Sequence, residues 1–326
     1  MTLRLIKPAP APSGVSDHSS TRPSRLSCAF VNNMPDGAFD ATERQFLELL
    51  DGASVETEFE VRRYTMEGVP RGEETAMRIA TEYFPFPAIY HDSPDALIVT
   101  GSNPIELDIH DEPYWGDLVE LLTWSRSRVR STLLSCLSAH AALVVFDGAS
   151  RQRLSEKCTG VYAQHVERDR SLTEGLDAEV LLPVSRWNSV ADESLEEAGY
   201  DIILGSEATG WSAASRVEGG RQTFLIQGHP EYDPSSLLRE YRRDAGRYVR
   251  GERSEAPPLP YHCVSPDDWE ALVRFHHDVV LGARDVQAFE ALPVDELGSR
   301  APWPWHSPAV TLFTNWVASV VQEGDR

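Results

Sequence analysis

Ser131-Thr-Leu-Leu-Ser-Cys136, running directly into Leu137-Ser-Ala-His-Ala-Ala-Leu-Val-Val-Phe146, is the stretch from which the fold of this chain is read. Residues 131–135 form a short apolar run suited to a buried strand, and 137–146 an apolar, small-residue helix stopped by Gly148. A second run of the same kind, Thr223-Phe-Leu-Ile-Gln227, leads into Gly228-His-Pro-Glu231. Working outward, further strands are expected at 26–32, 61–64 and 96–100, and helices at 113–125, 235–250, 266–283 and 311–321. Asp40-Ala-Thr-Glu43 has the spacing of a capping box, which predicts a helix beginning at Asp40 and carrying Phe46, Leu49 and Leu50 on its apolar face. Asn33-Met-Pro-Asp-Gly37 reads as the turn before it. Alternating strands and helices predict an α/β fold, a mostly parallel sheet flanked by helices on both faces.

The 326 residues suit one large domain. Residues 1–25, rich in Pro, Ser and Thr, predict a flexible leader, and 26–326 a single α/β domain. Its C-terminal helical segment, about 256–326, opens with a Pro-rich linker or lid at 256–260. With 51 acidic against 30 basic residues the net charge is −21, which argues against a nucleic-acid partner. No apolar run reaches the ~18 residues of a membrane span, and the leader lacks the apolar core of a signal peptide. The four cysteines (Cys28, Cys136, Cys158, Cys263) form no CxxC. No metal site is therefore expected, and the chain reads as a cytoplasmic enzyme with reduced thiols. Lys7 and Lys157 are the only lysines among the 30 basic residues, which singles out Lys157 for a role.

Cys136 falls between a strand and its helix, at the carboxyl edge of the sheet where α/β proteins bind ligands. The helix N-terminus there favours a thiolate, and the Leu137 N–H would face an oxyanion formed at the sulfur. Taken alone, Cys136 reads first as a buried, inert thiol, the commoner fate of a cysteine in an apolar stretch. His229 follows another buried strand and should reach the same edge, with Glu231 two residues on. A cysteine, a histidine and a carboxylate at one edge make a nucleophile, a general base and an orienting group.

With these residues in place, the chain resembles the homoserine O-acyltransferases of the MetA type, on the class I glutamine amidotransferase-like fold. The resemblance is carried by Asn33-Met-Pro35, Ala96-Leu-Ile-Val-Thr-Gly101, Tyr114-Trp115, Cys136, Glu156-Lys157, Ser185-Arg186, Gly228-His-Pro-Glu-Tyr-Asp233 and Leu312-Phe-Thr-Asn-Trp316. It implies that Cys136 carries the acyl group as a thioester, with His229 as general base and Glu231 as its partner. It further implies that Lys157, Ser185 and Arg243 bind the amino-acid acceptor, L-homoserine or L-serine. Acyl-CoA (succinyl-CoA or acetyl-CoA) is then a co-substrate, no cofactor is held permanently, and a homodimer is the ordinary assembly. Arg239, Arg242, Arg247 and Arg250 share the helix of Arg243 and could instead face the phosphates of coenzyme A.

Some positions depart from the family. Asp36 and Gly37 stand where the family commonly has a lysine, and His140 where it usually has Gln four residues after the nucleophile. His140 reads as a helix residue of the core rather than a second base. The position that selects the acyl donor falls on Ile105, with Glu106 next, and matches neither family type. Two alternatives stay open, a glutamine amidotransferase-like amidohydrolase and a non-catalytic binding module on the same fold. The flanks Ser135, Leu137 and His140 count against the first.

Overall fold

The computed structural model describes residues 2–8, 25–53, 57–104, 106, 108–167 and 170–322. Among them, ten strands form one sheet: β1 (Thr2–Ile6), β2 (Arg25–Val31), β3 (Glu58–Tyr64), β4 (Ala96–Val99), β5 (Ser131–Ser135), β6 (Gln152–Val166), β7 (Glu179–Ser189), β8 (Asp201–Ser206), β9 (Gly210–Glu218) and β10 (Arg221–Ile226). Their order is β1-β3-β2-β4-β5-β10-β9-β8-β6-β7. Every pairing from β1 to β10 is parallel, and those from β10 to β7 are antiparallel. The helices are α1 (Asp36–Gly52), α2 (Glu73–Glu82), α3 (Ile89–Asp92), α4 (Trp115–Arg128), α5 (Leu137–Asp147), α6 (Asp192–Glu197), α7 (Ser236–Val249), α8 (Pro266–Phe275), α9 (Val286–Glu290), α10 (Val294–Arg300) and α11 (His306–Gln322). A π-helical stretch, His276–Ala283, continues α8.

Alternation along each central strand explains why both sheet faces are dry. Phe30, Ile98, Leu133 and Phe224 point to one face, where Phe46 of α1 and Phe313 and Trp316 of α11 cover them. Val31, Leu97, Leu134 and Leu225 point to the other, under Leu118 and Leu122 of α4 and Leu143 of α5. A third apolar cluster joins α7 to the C-terminal segment through Leu238, Tyr241, Leu272, Phe289 and Trp305. Trp316 also donates Nε1 to Ser131 Oγ at 2.9 Å, tying the last helix to the strand that ends in Cys136.

Three local expectations are corrected. The leader expected at 1–25 contains β1, which adds a parallel strand beside β3, and 25 already belongs to β2; residues 9–24 lie outside the described residues. The first helix starts at Asp36, four residues before the presumed cap, because Pro35 is extended (φ −66°, ψ 163°) and suits the position preceding a helix. Asp40 pairs with Arg78, and the buried Glu43 bonds Arg63 and Arg78 at 2.7 Å each instead of reaching back to a cap. The helix expected at 266–283 changes pitch after Phe275. Among the described residues, no helix is long and apolar enough to cross a membrane.

Trp316 is fully buried, so Trp316→Ala should cost about 3–5 kcal/mol through lost packing and a lost hydrogen bond. A urea denaturation midpoint unchanged from the parent protein would contradict this account of how α11 holds the sheet.

Candidate active site

Cys136 sits between β5 and α5 with φ 51° and ψ −108°, a conformation that a non-glycine residue adopts at a cost of about 1–3 kcal/mol. The turn is held on both sides. Cys136 N donates to the Ile226 carbonyl at 2.7 Å, and Ser138 Oγ donates to the Val99 carbonyl at 2.9 Å. Gly101 follows β4 in the space beside it. A Cβ on Gly101 would lie 3.2 Å from Cys136 Cβ and 3.6 Å from the Leu137 nitrogen. The glycine thus leaves room at the sulfur and at the first N–H of α5, whose first-turn amides lack intrahelical acceptors.

His229 lies just beyond β10. Its loop fits tightly against β7: His229 N donates to the Pro183 carbonyl at 2.8 Å, and a Cβ on Gly228 would come within 2.4 Å of Leu182. His229 Nδ1 donates to Glu231 Oε1 at 2.8 Å, which leaves Nε2 as the proton-exchanging nitrogen. Both side chains are buried, and neither Nε2 nor Glu231 Oε2 has a hydrogen-bond partner among the described residues. Burial opposes a charge on the imidazole, but Glu231 and Cys136 outweigh it, so His229 holds its proton well above the ordinary histidine range. Tyr232 stacks on the imidazole with ring centroids 4.2 Å apart and an 18° tilt.

One cavity of about 1380 Å³ is lined by Cys136, Leu137, Lys157, Ser185, His229, Glu231 and Arg243, seven of the side chains singled out in the sequence. Glu106 lies on the same wall, whereas Ile105 lies outside the described residues. Lys157, on β6, is buried and donates to Glu240 Oε2 at 3.0 Å and to Asp244 Oδ2 at 2.9 Å, both on α7. Ser185 on β7 donates to the same Glu240 oxygen, and Tyr232 OH donates to Oε1 at 2.6 Å. Arg243 Nε donates to Asp244 Oδ1 at 2.9 Å. Burial disfavours the Glu240 charge, yet Lys157, Arg243 and His229 prevail and keep its carboxyl well below the usual range.

Glu240 and Asp244 are functional candidates that the sequence reading missed. Their signal was present as spacing: Glu240, Arg243, Asp244 and Arg247 stand at i, i+3, i+4 and i+7, one face of α7. Of the other arginines on that helix, Arg239 and Arg247 also line the cavity, whereas Arg242 donates to the Glu290 carbonyl and Arg250 pairs with Glu252. Asp36 does not bring its charge to the nucleophile. It accepts from Gly72 N at 2.6 Å and lies 3.7 Å from Arg71. His140 is buried and bonds Gln227 Oε1 through Nε2 at 2.6 Å. Burial lowers its pKa to about 3, so it is a neutral core histidine near pH 7. Among the described residues, no group of three or more His, Cys, Asp or Glu is placed to hold a metal ion.

A parallel sheet with a strained cysteine elbow at the end of β5 and a histidine–carboxylate pair beyond β10 defines a protein of the class I glutamine amidotransferase-like fold. The solved glutamine amidotransferase of Methylobacillus flagellatus shares that fold, with a TM-score of 0.54 over 91% of this chain and 96% of its own, at 16% identity. The family model for homoserine O-succinyltransferase matches residues 14–326, and the chain belongs to that family of acyltransferases. It is 37% identical to the homoserine O-succinyltransferase of Rhodopseudomonas palustris over 99% of this chain and 100% of the relative. Identity to that of Cardiobacterium hominis is 37% over 91% and 83%, and to that of Bradyrhizobium japonicum 36% over 96% and 95%.

The raised pKa of His229 carries a stability consequence with a fixed sign. A protonated His229 paired with Glu231 stabilises the fold fully below the unfolded imidazole pKa of about 6.5, and this contribution disappears as pH rises through the higher folded value. Glu231→Gln should therefore destabilise the protein more at pH 5.5 than at pH 9.5. Urea titrations at both pH values check this, and an equal loss at both would contradict it.

Proposed function

We propose that this chain transfers the acyl group of acyl-CoA to the hydroxyl of L-homoserine through a thioester on Cys136, with succinyl-CoA as the donor. The observation that supports the reading most is the convergence in one cavity of Cys136, the His229–Glu231 pair and the charged Lys157–Glu240–Arg243–Asp244 cluster.

In the first half-reaction the Cys136 thiolate attacks the thioester carbonyl. The Leu137 N–H receives the developing oxyanion, and the tetrahedral intermediate expels coenzyme A. His229, held as imidazolium by Glu231, delivers its Nε2 proton to the departing thiolate. The neutral imidazole left behind is the base for the second half. It takes the proton of the acceptor hydroxyl as the oxygen attacks the acyl-enzyme, and Cys136 leaves as thiolate to regenerate the resting pair. This is ping-pong chemistry with one group serving as acid and then as base.

The acceptor is an amino acid with two charges, and the cluster is matched to it. Arg243 offers a planar fork for a carboxylate, while Glu240 and Asp244 offer oxygens to an ammonium group. Lys157 and Ser185 keep those carboxylates placed and ionised. Net neutrality inside the cluster lets a zwitterion enter without burying an unpaired charge.

Intact-mass spectrometry after mixing with succinyl-CoA or acetyl-CoA should reveal one acyl adduct that homoserine removes faster than serine. Cys136→Ala should lose the adduct, and His229→Ala should lower kcat by about 10³-fold or more. No adduct, or one that persists in Cys136→Ala, overturns the relay. Ammonia release from glutamine by the isolated chain would instead restore the amidohydrolase alternative.

A further inference from the structure

We propose that the Arg186 guanidinium, flanked by Arg151, forms an anion-receiving recess beside Cys136 that binds the terminal carboxylate of a dicarboxylic acyl group. This rests on the acyl-transfer reading above and adds to it the residues that recognise the donor's far end.

One buried guanidinium on the cavity lining lacks an ion-pair partner among the described residues. Arg186, on β7, is 7% exposed. It donates Nη2 to the Thr209 carbonyl, while its buried Nε and Nη1 have no hydrogen-bond partner among the described residues. Among the described residues the other buried arginine, Arg63, pairs with Glu43 and Glu82, and the half-buried Arg216 pairs with Asp147 at 3.0 Å. Among the described residues no carboxylate forms an ion pair with Arg186, Asp192 acting on it only electrostatically, although an unpaired buried guanidinium is costly. An anion that arrives with the substrate resolves that cost.

The place of the recess identifies the anion. Arg186 and Arg151 both line the catalytic cavity, and both interact electrostatically with Cys136. Arg151 donates Nε to His140 Nδ1 at 3.4 Å; His140 can accept there because its Nε2 proton is committed to Gln227. His140 thereby holds a second guanidinium against the same wall. An anion bound beside the sulfur must lie only a few bonds from the carbonyl being attacked. The far carboxylate of a succinyl group, two methylenes beyond that carbonyl, meets the requirement. The phosphates of coenzyme A are separated from it by the pantetheine arm. The acceptor's carboxylate already has Arg243, placed beside Glu240 and Asp244 on α7.

Butyryl-CoA and succinyl-CoA deliver acyl chains of the same carbon count, and only succinyl carries the anion. The parent protein should acylate Cys136 with succinyl-CoA at least about 30-fold faster than with butyryl-CoA, read by quenched-flow intact mass. Arg186→Gln should collapse that ratio to within about threefold of unity, Arg186→Lys should restore part of it, and the acceptor KM should not move. Equal acylation by the two thioesters in the parent protein overturns the recess while leaving the relay intact, and needs no variant to fold. A ratio that survives Arg186→Gln, or an effect confined to the acceptor KM, overturns it too. Absence of any Cys136 adduct removes the relay itself, and this inference with it.

Discussion

The backbone of one residue sets the terms for the rest of the site. Cys136 must turn the chain from the end of β5 into α5 with φ at 51°, and a β-carbon makes that conformation unfavourable. It persists because its neighbours leave no relaxed alternative. Its amide is tied to β10 through Ile226, the next turn is tied to β4 through Ser138, and Gly101 closes the gap from the side. Three adjacent parallel strands thus fix a single turn. The same geometry lifts the thiol out of the sheet and leaves the first amides of α5 free. Strain at Cys136, room at its sulfur and the unpaired first amides of α5 are therefore one structural feature expressed three ways.

Charge is distributed around that turn in two different manners. On the side of α7, cations and carboxylates cancel: Lys157, Arg243, Glu240 and Asp244 form a partly buried network in which the two cations keep both carboxyls below their usual range. Breaking such a network by removing one partner leaves an uncompensated charge, which is far more damaging than the net value of the pair suggests. Around Arg151 and Arg186 no ion pair forms among the described residues, and Glu112 and Asp192 act on them only electrostatically, in a protein whose net charge is −21. A zwitterion suits the first environment, a substrate with excess negative charge the second. The local field can therefore recruit an anionic thioester that the molecule as a whole would repel.

The legible part of this fold was its parallel half. Strands such as Ala96–Val99 and Ser131–Ser135 are buried on both faces, so their apolar runs stand out. The antiparallel half left no such trace. β6 is fifteen residues long, and its exposed start, Gln152-Arg-Leu-Ser-Glu, looks like a loop; its course is set by pairing with β7. β1 was hidden for a related reason: an edge strand with one neighbour need not be apolar, and its neighbour β3 is distant in sequence. Cys136, His229 and Glu231 were readable because strand–turn–residue order places side chains at one sheet edge. Glu240 was not, and Arg186 entered only as part of a family motif, since a charge on an amphipathic helix or an outer strand reads as a solvated surface until tertiary contacts cover it.

Those tertiary contacts also join His229 to the Lys157–Glu240 cluster although separate elements carry them. Tyr232 stacks on His229 and hydrogen-bonds Glu240 with its hydroxyl, so one side chain touches the imidazole and the Glu240 carboxylate at once. Its backbone carbonyl accepts from Trp305 Nε1 at 2.7 Å and Trp303 Nε1 at 3.2 Å, two indoles of the C-terminal segment. A shift of either tryptophan would be felt through one peptide unit at the imidazole and through one ring at Glu240. The segment after α10 therefore buttresses the His229 side of the cavity. The loop 228–233 is thus braced by a stretch some seventy positions later, and both lie within the residues that the family model matches.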